Sequence, residues 1–451
     1  MNREQHRNQI LLQVGTIVTM NARRDVLSDC AILIEENRIK NISLRKHFKN
    51  YSGKIIEAKH LVAIPGFIQT HLHLCQTLFR GLADDLQLLD WLLKKIMPFE
   101  FAHNEKSMHA SAMLGIAELI RGGTTTILDM GSISHEEEII RAIGESGLRA
   151  YVGKAMMDRN DLFPKLKESR SDALNSTRKL AEEFHNSFNE RVKYAAAPRF
   201  VLSCSEKLLR DVGELVASFD GMLMHTHASE NKHEIATVRQ MYGKENIEVL
   251  NALGLLSEKS VLAHCIHLNE KEISLLKKTK ANVAHCPSSN LKLASGIANI
   301  PKYLNNGINV SLGADGAPCN NNLNQFQEMK LAALIQKPLH GSTSMPAEQV
   351  FELATINGAK ALSLEKEIGS LEVGKKADLV LLNLNNVWNG SANFSSYYSN
   401  IVYSATSENV DSVMIDGKWI LRNREFATLD EEKIVDNGKQ ELQKLLNRCE
   451  V

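Results

Sequence analysis

Short apolar runs alternate with longer stretches of helical spacing through the middle of the chain. Eight runs are predicted to be strands, at residues 66–74, 124–130, 148–157, 193–200, 222–228, 260–266, 282–287 and 308–313. The clearest helical stretches between them are residues 107–120, 135–143, 171–188 and 269–278. Eight strands alternating with helices over about 250–300 residues are typical of an α/β fold of the closed (β/α)8 TIM-like type rather than of an open sheet.

The two ends of the chain have a different pattern, in which short β-branched segments alternate with charged turns. Residues 10–18 and 30–34 are predicted strands near the N-terminus, and residues 377–382 and 410–420 repeat that pattern near the C-terminus. The pair Asp416-Gly417 is a hairpin signal. We therefore predict a small β-sandwich domain assembled from residues 1–62 and 365–451, attached to a barrel at residues 63–364.

Charge and composition limit the possible partners. The 451 residues include 53 Lys and Arg and 53 Asp and Glu, and the zero net charge gives no electrostatic reason to bind nucleic acid or an anionic membrane. No apolar window approaches the roughly 18 residues of a membrane span, and the start does not resemble a secretory signal. We expect a cytoplasmic protein with a small-molecule substrate, and a homo-oligomer because such assemblies are common among soluble enzymes.

Histidines and an aspartate fall at the carboxyl ends of the predicted strands, where barrels of this type place their active sites. His71 and His73 lie two residues apart, on one face of the first strand. His227 ends the fifth strand, and Asp315 follows the eighth. An isolated His-x-His pair is more often a hydrogen-bonded core pair, but the joint placement favours a metal site. Three imidazoles and a carboxylate suit one Zn²⁺ ion best, although Fe²⁺, Co²⁺ and Mn²⁺ also accept them.

Two further side chains are candidates for proton transfer beside this metal. Glu230 lies three residues after His227, where a carboxylate on the loop could reach the substrate without binding the metal; the alternative is a solvated surface glutamate. His264 lies in the sixth apolar run and is favoured for the site. His225 is expected to support the site from a buried position, and His267 to cap the loop that follows the sixth strand. His285 either lines the site or packs in the barrel interior.

Several segments together resemble the amidohydrolase superfamily, in the branch of the adenosine-type deaminases, guanine deaminase and the triazine hydrolases. They are residues 65–73, 227–230, 263–265, 285–296, 313–323 and 368–380. The resemblance covers nearly the whole chain and implies a metal-dependent hydrolase barrel. It implies that the four candidate ligands bind one metal, that Glu230 and His264 handle protons, and that Asp315 helps to orient the attacking water. Lys193 begins the fourth predicted strand instead of ending it, which argues against a second metal held by a carboxylated lysine.

Two resemblances give different indications of the substrate. Residues 81–100 resemble the adenosine-type deaminases, in which a glutamate corresponding to Glu100 binds the ribose hydroxyls. Trp91 in the same segment either forms a pocket wall or belongs to a helix core. In contrast, Gln76, Arg199 and Phe200 match positions by which guanine deaminase holds its base, with Arg199 as a donor fork and Phe200 as a stacking face.

We predict a hydrolytic deaminase of an aminopurine nucleoside of the 5′-deoxyadenosine, methylthioadenosine, S-adenosylhomocysteine or adenosine type. Residues 313–322 resemble that group more closely than guanine deaminase, which is the first alternative. A triazine hydrolase that expels chloride is the second, but chloride leaves without a proton and would not need Glu230. A third alternative is a metal-stabilised binding protein without catalysis.

Overall fold

The computed structural model describes residues 8–161, 163–390 and 397–449. The parts of the predicted terminal domain at residues 1–7, 391–396 and 450–451 lie outside the described residues. Within those that are described, no helix combines the length and the apolar character needed to cross a membrane.

Eight parallel strand positions form a barrel in the middle of the chain. They are Phe67–His73, Thr124–Asp129, Arg149–Val152 with Ala155–Met156, Val192–Pro198, Leu223–Ala228, Ser260–His264, Asn282–His285, and Val310–Leu312 with Asp315–Gly316. Neighbouring strands follow one another in chain order, and the last segment, Asp315–Gly316, pairs in parallel with Leu72 and His73 of the first strand. Because this pairing joins the eighth strand to the first, the prediction of a (β/α)8 barrel is confirmed.

Strands from both ends of the chain form a second, separate sheet. They are Gln9–Val18, Val26–Ser28, Cys30–Glu35, Arg38–Leu44, Lys54–Pro65, Leu379–Leu382, Val410–Ile415, Lys418–Arg422 and Glu425–Phe426. Lys54–Pro65 joins the two halves, since it pairs in parallel with Gln9–Val18 and antiparallel with Leu379–Leu382. The β domain built from both termini is therefore confirmed, while its boundaries at residues 62 and 365 remain predictions.

Helices connect the barrel strands, and one long helix lies near the C-terminal end of the described residues. The longer ones are Glu105–Arg121, Glu136–Ser146, Arg170–Phe184, Glu206–Ser218, Lys232–Tyr242, Asn246–Ala252, Glu270–Thr279, Pro287–Lys292, Ile300–Asn305, Gln325–Leu334, Ala347–Leu353, Ile356–Ala361 and Glu431–Arg448. Shorter helical segments are Leu88–Trp91, Leu92–Ile96, Met97–Phe101, Ala317–Asn320, Lys337–His340, Tyr397–Ser399 and Asn400–Ser404.

A local sequence signal accounts for the start of one long helix, and tertiary contacts account for the end of another. Asn104 and Ser107 form a capping box at the start of Glu105–Arg121, which satisfies backbone N–H groups that the helix leaves unpaired. The helix predicted at residues 171–188 ends earlier, at Phe184. His185 then takes an extended backbone conformation, and its ring bonds the backbone N–H of Tyr194 and the backbone oxygen of Asp220. These tertiary contacts end the helix where its apolar pattern would have continued.

An apolar cluster closes the barrel interior away from its polar end. It takes one side chain from each of the first seven strands, namely Ile68, Leu128, Tyr151, Ala195, Leu223, Val261 and Ala284. Ala359 and Ala361 of helix Ile356–Ala361 pack against them. With this end filled by apolar atoms, the functional groups are left to the carboxyl ends of the strands, as in other barrels of this type.

A buried ion pair ties the barrel to the terminal sheet. Arg149 in the third barrel strand donates to both carboxylate oxygens of Asp378, at 2.8 and 3.1 Å, and approaches Asp416 in the hairpin turn at 3.4 Å. Arg149 and Asp378 are almost completely buried. Because a buried charge needs its partner, this contact makes the relative position of the two sheets specific.

Candidate active site

The four predicted metal ligands meet at the carboxyl end of the barrel. One ligand atom from each of His71, His73, His227 and Asp315 lies within 4.8 Å of the other three. His73 Nε2 is 3.3 Å from His227 Nε2, and Asp315 Oδ1 is 3.3 Å from His71 Nε2. At these separations the four atoms can all bind one divalent ion, because bonds from zinc to nitrogen and oxygen ligands are about 2.0–2.2 Å long.

Strand geometry explains how distant residues reach one point. His71 and His73 lie two residues apart in Phe67–His73, so both side chains leave the same face of the strand. Asp315 pairs with Leu72 in the neighbouring strand position, which places its carboxylate beside both imidazoles. Asp315 has a φ of 61°, in the left-handed region that non-glycine residues seldom adopt outside constrained sites.

Hydrogen bonds on the outer ring nitrogens orient two of the imidazoles. His225 Nδ1 donates to the backbone oxygen of Val261 at 2.9 Å, so in the neutral ring its Nε2 accepts from His71 Nδ1 at 2.8 Å. His71 Nε2 is then left with a lone pair facing the cluster. His227 Nδ1 likewise donates to the backbone oxygen of Arg199 at 2.7 Å. Such outer contacts hold metal-binding imidazoles in the correct tautomer, so the donor set fits a cation.

The two predicted proton-transfer groups lie beside the ligand cluster. His264 Nε2 is 3.7 Å from Glu230 Oε2 and 3.8 Å from Asp315 Oδ2. Burial raises the pKa of Glu230 to about 7, with Asp315 and Glu234 adding to the rise and His264 opposing it. Burial by itself would lower the pKa of His264, but the facing carboxylates outweigh it and raise that pKa above its usual value. Glu230 can therefore exchange a proton near neutral pH, with His264 beside it.

Two residues that the sequence analysis did not single out hold this machinery in place. Ser289 Oγ donates to Asp315 Oδ2 at 2.6 Å, and His264 Nδ1 lies 2.8 Å from Asn290 Oδ1. Both come from helix Pro287–Lys292, which follows the seventh barrel strand. The only signal for them in the sequence was their position inside the segment 285–296, one of those that carry the family resemblance.

The structure separates the roles of the remaining histidines. His267 Nε2 lies 2.7 Å from the backbone oxygen of Ser295, whose hydroxyl is 3.4 Å from Glu230 Oε1. His267 thus supports a loop that contacts Glu230. His285 is buried, and neither of its ring nitrogens has a hydrogen-bond partner among the described residues. Burial lowers the pKa of His285 to about 3, so it packs as a neutral ring.

A cavity opens onto this cluster. Its walls include four of the five predicted substrate residues, which are Gln76, Trp91, Arg199 and Phe200. The remaining wall consists of five leucines and of six polar residues at the end that holds the ligand cluster, so the cavity offers a flat aromatic ligand an apolar environment with polar groups at one end.

The fifth predicted substrate residue, Glu100, lies behind this wall. Its Oε2 accepts from Arg199 Nη1 at 2.6 Å, and its Oε1 accepts from Arg199 Nη2 at 3.1 Å and from Gln76 Nε2 at 2.8 Å. Glu100 resembles a residue of the adenosine-type deaminases, whereas Gln76 and Arg199 resemble residues of guanine deaminase. In this structure the three form one buried hydrogen-bonded unit.

Comparison with known proteins gives consistent matches over most of the chain. A model of the amidohydrolase family matches residues 62–420. A 5′-deoxyadenosine deaminase from Methanocaldococcus jannaschii is 40% identical over 411 residues, which cover 91% of this chain and 95% of that protein. A 5-methylthioadenosine/S-adenosylhomocysteine deaminase from Acetivibrio thermocellus is 37% identical over 442 residues, covering 97% and 99%. The crystal structure of an adenosine deaminase from Xanthomonas campestris with bound zinc has a TM-score of 0.91 and 29% identity, covering 97% of this chain and 98% of that one.

Proposed function

This chain belongs to the amidohydrolase family, and we propose that it is a metal-dependent hydrolytic deaminase of aminopurine nucleosides that releases ammonia and an inosine-type product. One observation carries the proposal: the cluster of three histidines and Asp315 lies directly beside Glu230 and His264, at the end of one cavity. The relatives that are named as deaminases of 5′-deoxyadenosine and of 5-methylthioadenosine support the nucleoside substrate class.

We assign His71, His73, His227 and Asp315 as the ligands of a single divalent ion. Zinc suits this donor set best, and iron is the next candidate. The zinc bound in the Xanthomonas campestris structure supports that choice. When bound, such an ion supplies a water molecule whose pKa is lowered to about 7.

The protein's own residues provide the proton transfers and the orientation. Glu230, whose pKa is about 7, is placed to give its proton to the ring nitrogen next to the amine-bearing carbon. The resulting carboxylate can then take the proton of the hydroxyl group that the attacking water adds to that carbon, and give it to the departing amine. His264 and Asp315 face the same point and orient the attacking water. An amine must be protonated to leave, whereas chloride leaves without a proton, so this arrangement favours deamination over dechlorination.

The proposal is tested by measuring ammonia and chloride release by the zinc-loaded full-length protein. The substrates are 5′-deoxyadenosine, methylthioadenosine, S-adenosylhomocysteine, adenosine, guanine and atrazine. We expect ammonia from the nucleosides, with the highest kcat/KM among them. Guanine as the best substrate would support a guanine deaminase instead, a candidate favoured by Gln76 and Arg199 in the cavity wall. Chloride from atrazine alone, or no reaction by fully metallated protein, would contradict the proposal.

A further inference from the structure

A buried histidine that takes no part in the proposed chemistry holds the backbone two residues after His73. His103 Nε2 lies 2.8 Å from the backbone oxygen of Cys75, and His103 Nδ1 lies 3.0 Å from Ser107 Oγ. A carbonyl oxygen can only accept, so Nε2 carries the ring proton and Nδ1 accepts from the Ser107 hydroxyl. Burial lowers the pKa of His103 to about 3, so the ring is neutral and can make both contacts at once.

The contacts of His103 extend to the helix Glu431–Arg448 near the C-terminal end. Arg448 Nη2 donates to Ser107 Oγ at 3.1 Å, and Arg448 Nε donates to the backbone oxygen of Ala102 at 2.9 Å. Leu445, one turn earlier on this helix, is fully buried in an apolar cluster, which holds the helix in place. A hydrogen-bonded path therefore runs from the C-terminal helix to the turn that follows His73.

Holding the Cys75 carbonyl fixes the start of Gln76. The Cys75 carbonyl and the Gln76 N–H belong to one planar peptide unit, so the position of that oxygen sets the plane from which the Gln76 side chain leaves. Ser111 Oγ also lies 3.0 Å from the Cys75 oxygen, but its single proton has a closer acceptor in the backbone oxygen of Leu74, at 2.8 Å. His103 is therefore the main donor to the Cys75 oxygen.

The surroundings of Gln76 leave it little room to shift. Its Nε2 donates to Glu100 Oε1 at 2.8 Å. Its Oε1 lies against Gly316, where an added Cβ atom would come within 2.1 Å of it. Gln76 also lines the cavity. Because a hydrogen bond weakens steeply with small errors in distance and angle, a displaced Gln76 would disturb the cavity wall and the carboxylate behind it.

We propose that His103 is a positioning residue of the active site, which holds the Cys75 carbonyl so that Gln76 keeps its place in the cavity wall. Arg448 contributes from the C-terminal helix by orienting the Ser107 hydroxyl that His103 requires. This inference rests on the proposed nucleoside deaminase function.

The metal end of the same turn is held separately. The N–H of Leu74, the residue after His73, donates to Asp129 Oδ1 at 2.7 Å. Asp129 belongs to the second barrel strand, Thr124–Asp129, and makes this contact without His103. Loss of the His103 contact should therefore disturb the use of substrate more than the binding of zinc.

Two substitutions of His103 separate its two contacts. His103→Gln places an amide N–H near the position of Nε2 and can still donate to Cys75, whereas His103→Asn places an amide oxygen near Nδ1 and keeps only the contact with Ser107. Each leaves one buried group without its partner, so both should lower the melting temperature similarly. In the zinc-loaded full-length protein with 5′-deoxyadenosine, kcat/KM should stay within about threefold of the wild type in His103→Gln and fall about tenfold in His103→Asn.

Zinc dissociation constants should stay within about twofold of the wild type in both variants. Equal losses of kcat/KM in His103→Gln and His103→Asn would show that His103 acts only on stability and would overturn the inference. A loss of zinc affinity that accounts for the fall in His103→Asn would also overturn it, since the effect would then run through His73. A wild type that turns over none of the nucleosides would instead contradict the proposed function.

The outer end of the path can be tested without changing a buried residue. Arg448→Met removes the donor to Ser107 and should lower kcat/KM about two- to fivefold. Lys444→Met is the matched control, because Lys444 lies on the same helix and donates to Glu441 instead. It should leave kcat/KM unchanged. Equal falls in the two variants, or no fall in Arg448→Met, would overturn the role given to the C-terminal helix.

Discussion

His225 Nε2 lies 2.8 Å from His71 Nδ1, and the opposite nitrogen of His225 is fixed on the backbone oxygen of Val261 at 2.9 Å. These two contacts fix the ring orientation of His71, a proposed metal ligand, through the ring nitrogen that faces away from the ligand cluster. We expect His225→Phe to weaken zinc binding by about 10- to 100-fold, the usual cost of losing such a partner. The measurement is the zinc dissociation constant from competition with a chromophoric chelator.

His185 provides the control for this substitution. Its ring also bridges two backbone groups, those of Tyr194 and Asp220, but it lies outside the site. His185→Phe should lower stability and leave the zinc dissociation constant unchanged. Equal losses of zinc affinity in both variants would show that the effect of His225 is general destabilisation.

Glu230 is predicted to act on protons and not on the metal. Glu230→Gln keeps the size of the side chain but cannot exchange a proton, so kcat should fall by about 10²- to 10⁴-fold. Zinc content by elemental analysis should stay at the wild-type level, since Glu230 is not among the four clustered ligands. Near-normal turnover by this variant would rule out the proton-transfer assignment. Ser295→Ala, which removes only a 3.4 Å contact to Glu230, should cost much less.

Substitution of Ser289 should affect catalysis, whereas substitution of the adjacent Ser288 should affect stability. Ser289 donates to Asp315, whereas Ser288 donates through its backbone N–H and its hydroxyl to the buried Glu328. Ser289→Ala should lower kcat/KM by roughly tenfold, as expected for one lost hydrogen bond to a charged group, with little change in melting temperature. Ser288→Ala should mainly lower the melting temperature. Kinetics and thermal unfolding of the two variants would test this, and the reverse pattern would contradict it.

The stability of the protein should depend on the ionisation of Glu272. Burial raises its pKa from 4.5 to about 7. The folded state therefore binds this proton more tightly than the unfolded state does. The contribution of the protonated Glu272 to the free energy of unfolding is fully present below pH 4.5 and is lost as the pH rises through about 7. The slope is at most about 1.4 kcal/mol per pH unit. Glu272→Gln should become more stable relative to the wild type between pH 5 and pH 8.

Urea unfolding of both proteins at each pH measures this difference, in which effects of metal loss common to the two proteins cancel. A constant difference in the free energy of unfolding across that range would show that Glu272 has the same pKa in the folded and unfolded states.

The sequence by itself determined the barrel and the positions of the four proposed metal ligands along it. The side-chain period of two puts His71 and His73 on one face, and the parallel order of the strands brings their carboxyl ends to one edge. Residues at strand ends can therefore be expected to meet even when they are far apart in the chain, as His73 and Asp315 do at 3.5 Å.

Only the tertiary structure decided how the side chains pair. Glu100, Arg199 and Gln76 appeared in the sequence as separate substrate contacts, and the fold joins them in one unit across 99 residues. Strand patterns fix faces and ends, but a hydrogen bond depends on atomic positions to a few tenths of an ångström. Those positions are set by loops and helix starts whose course no short-range pattern specifies, which is why the contacts of Ser289 and Asn290 emerged only from the folded chain.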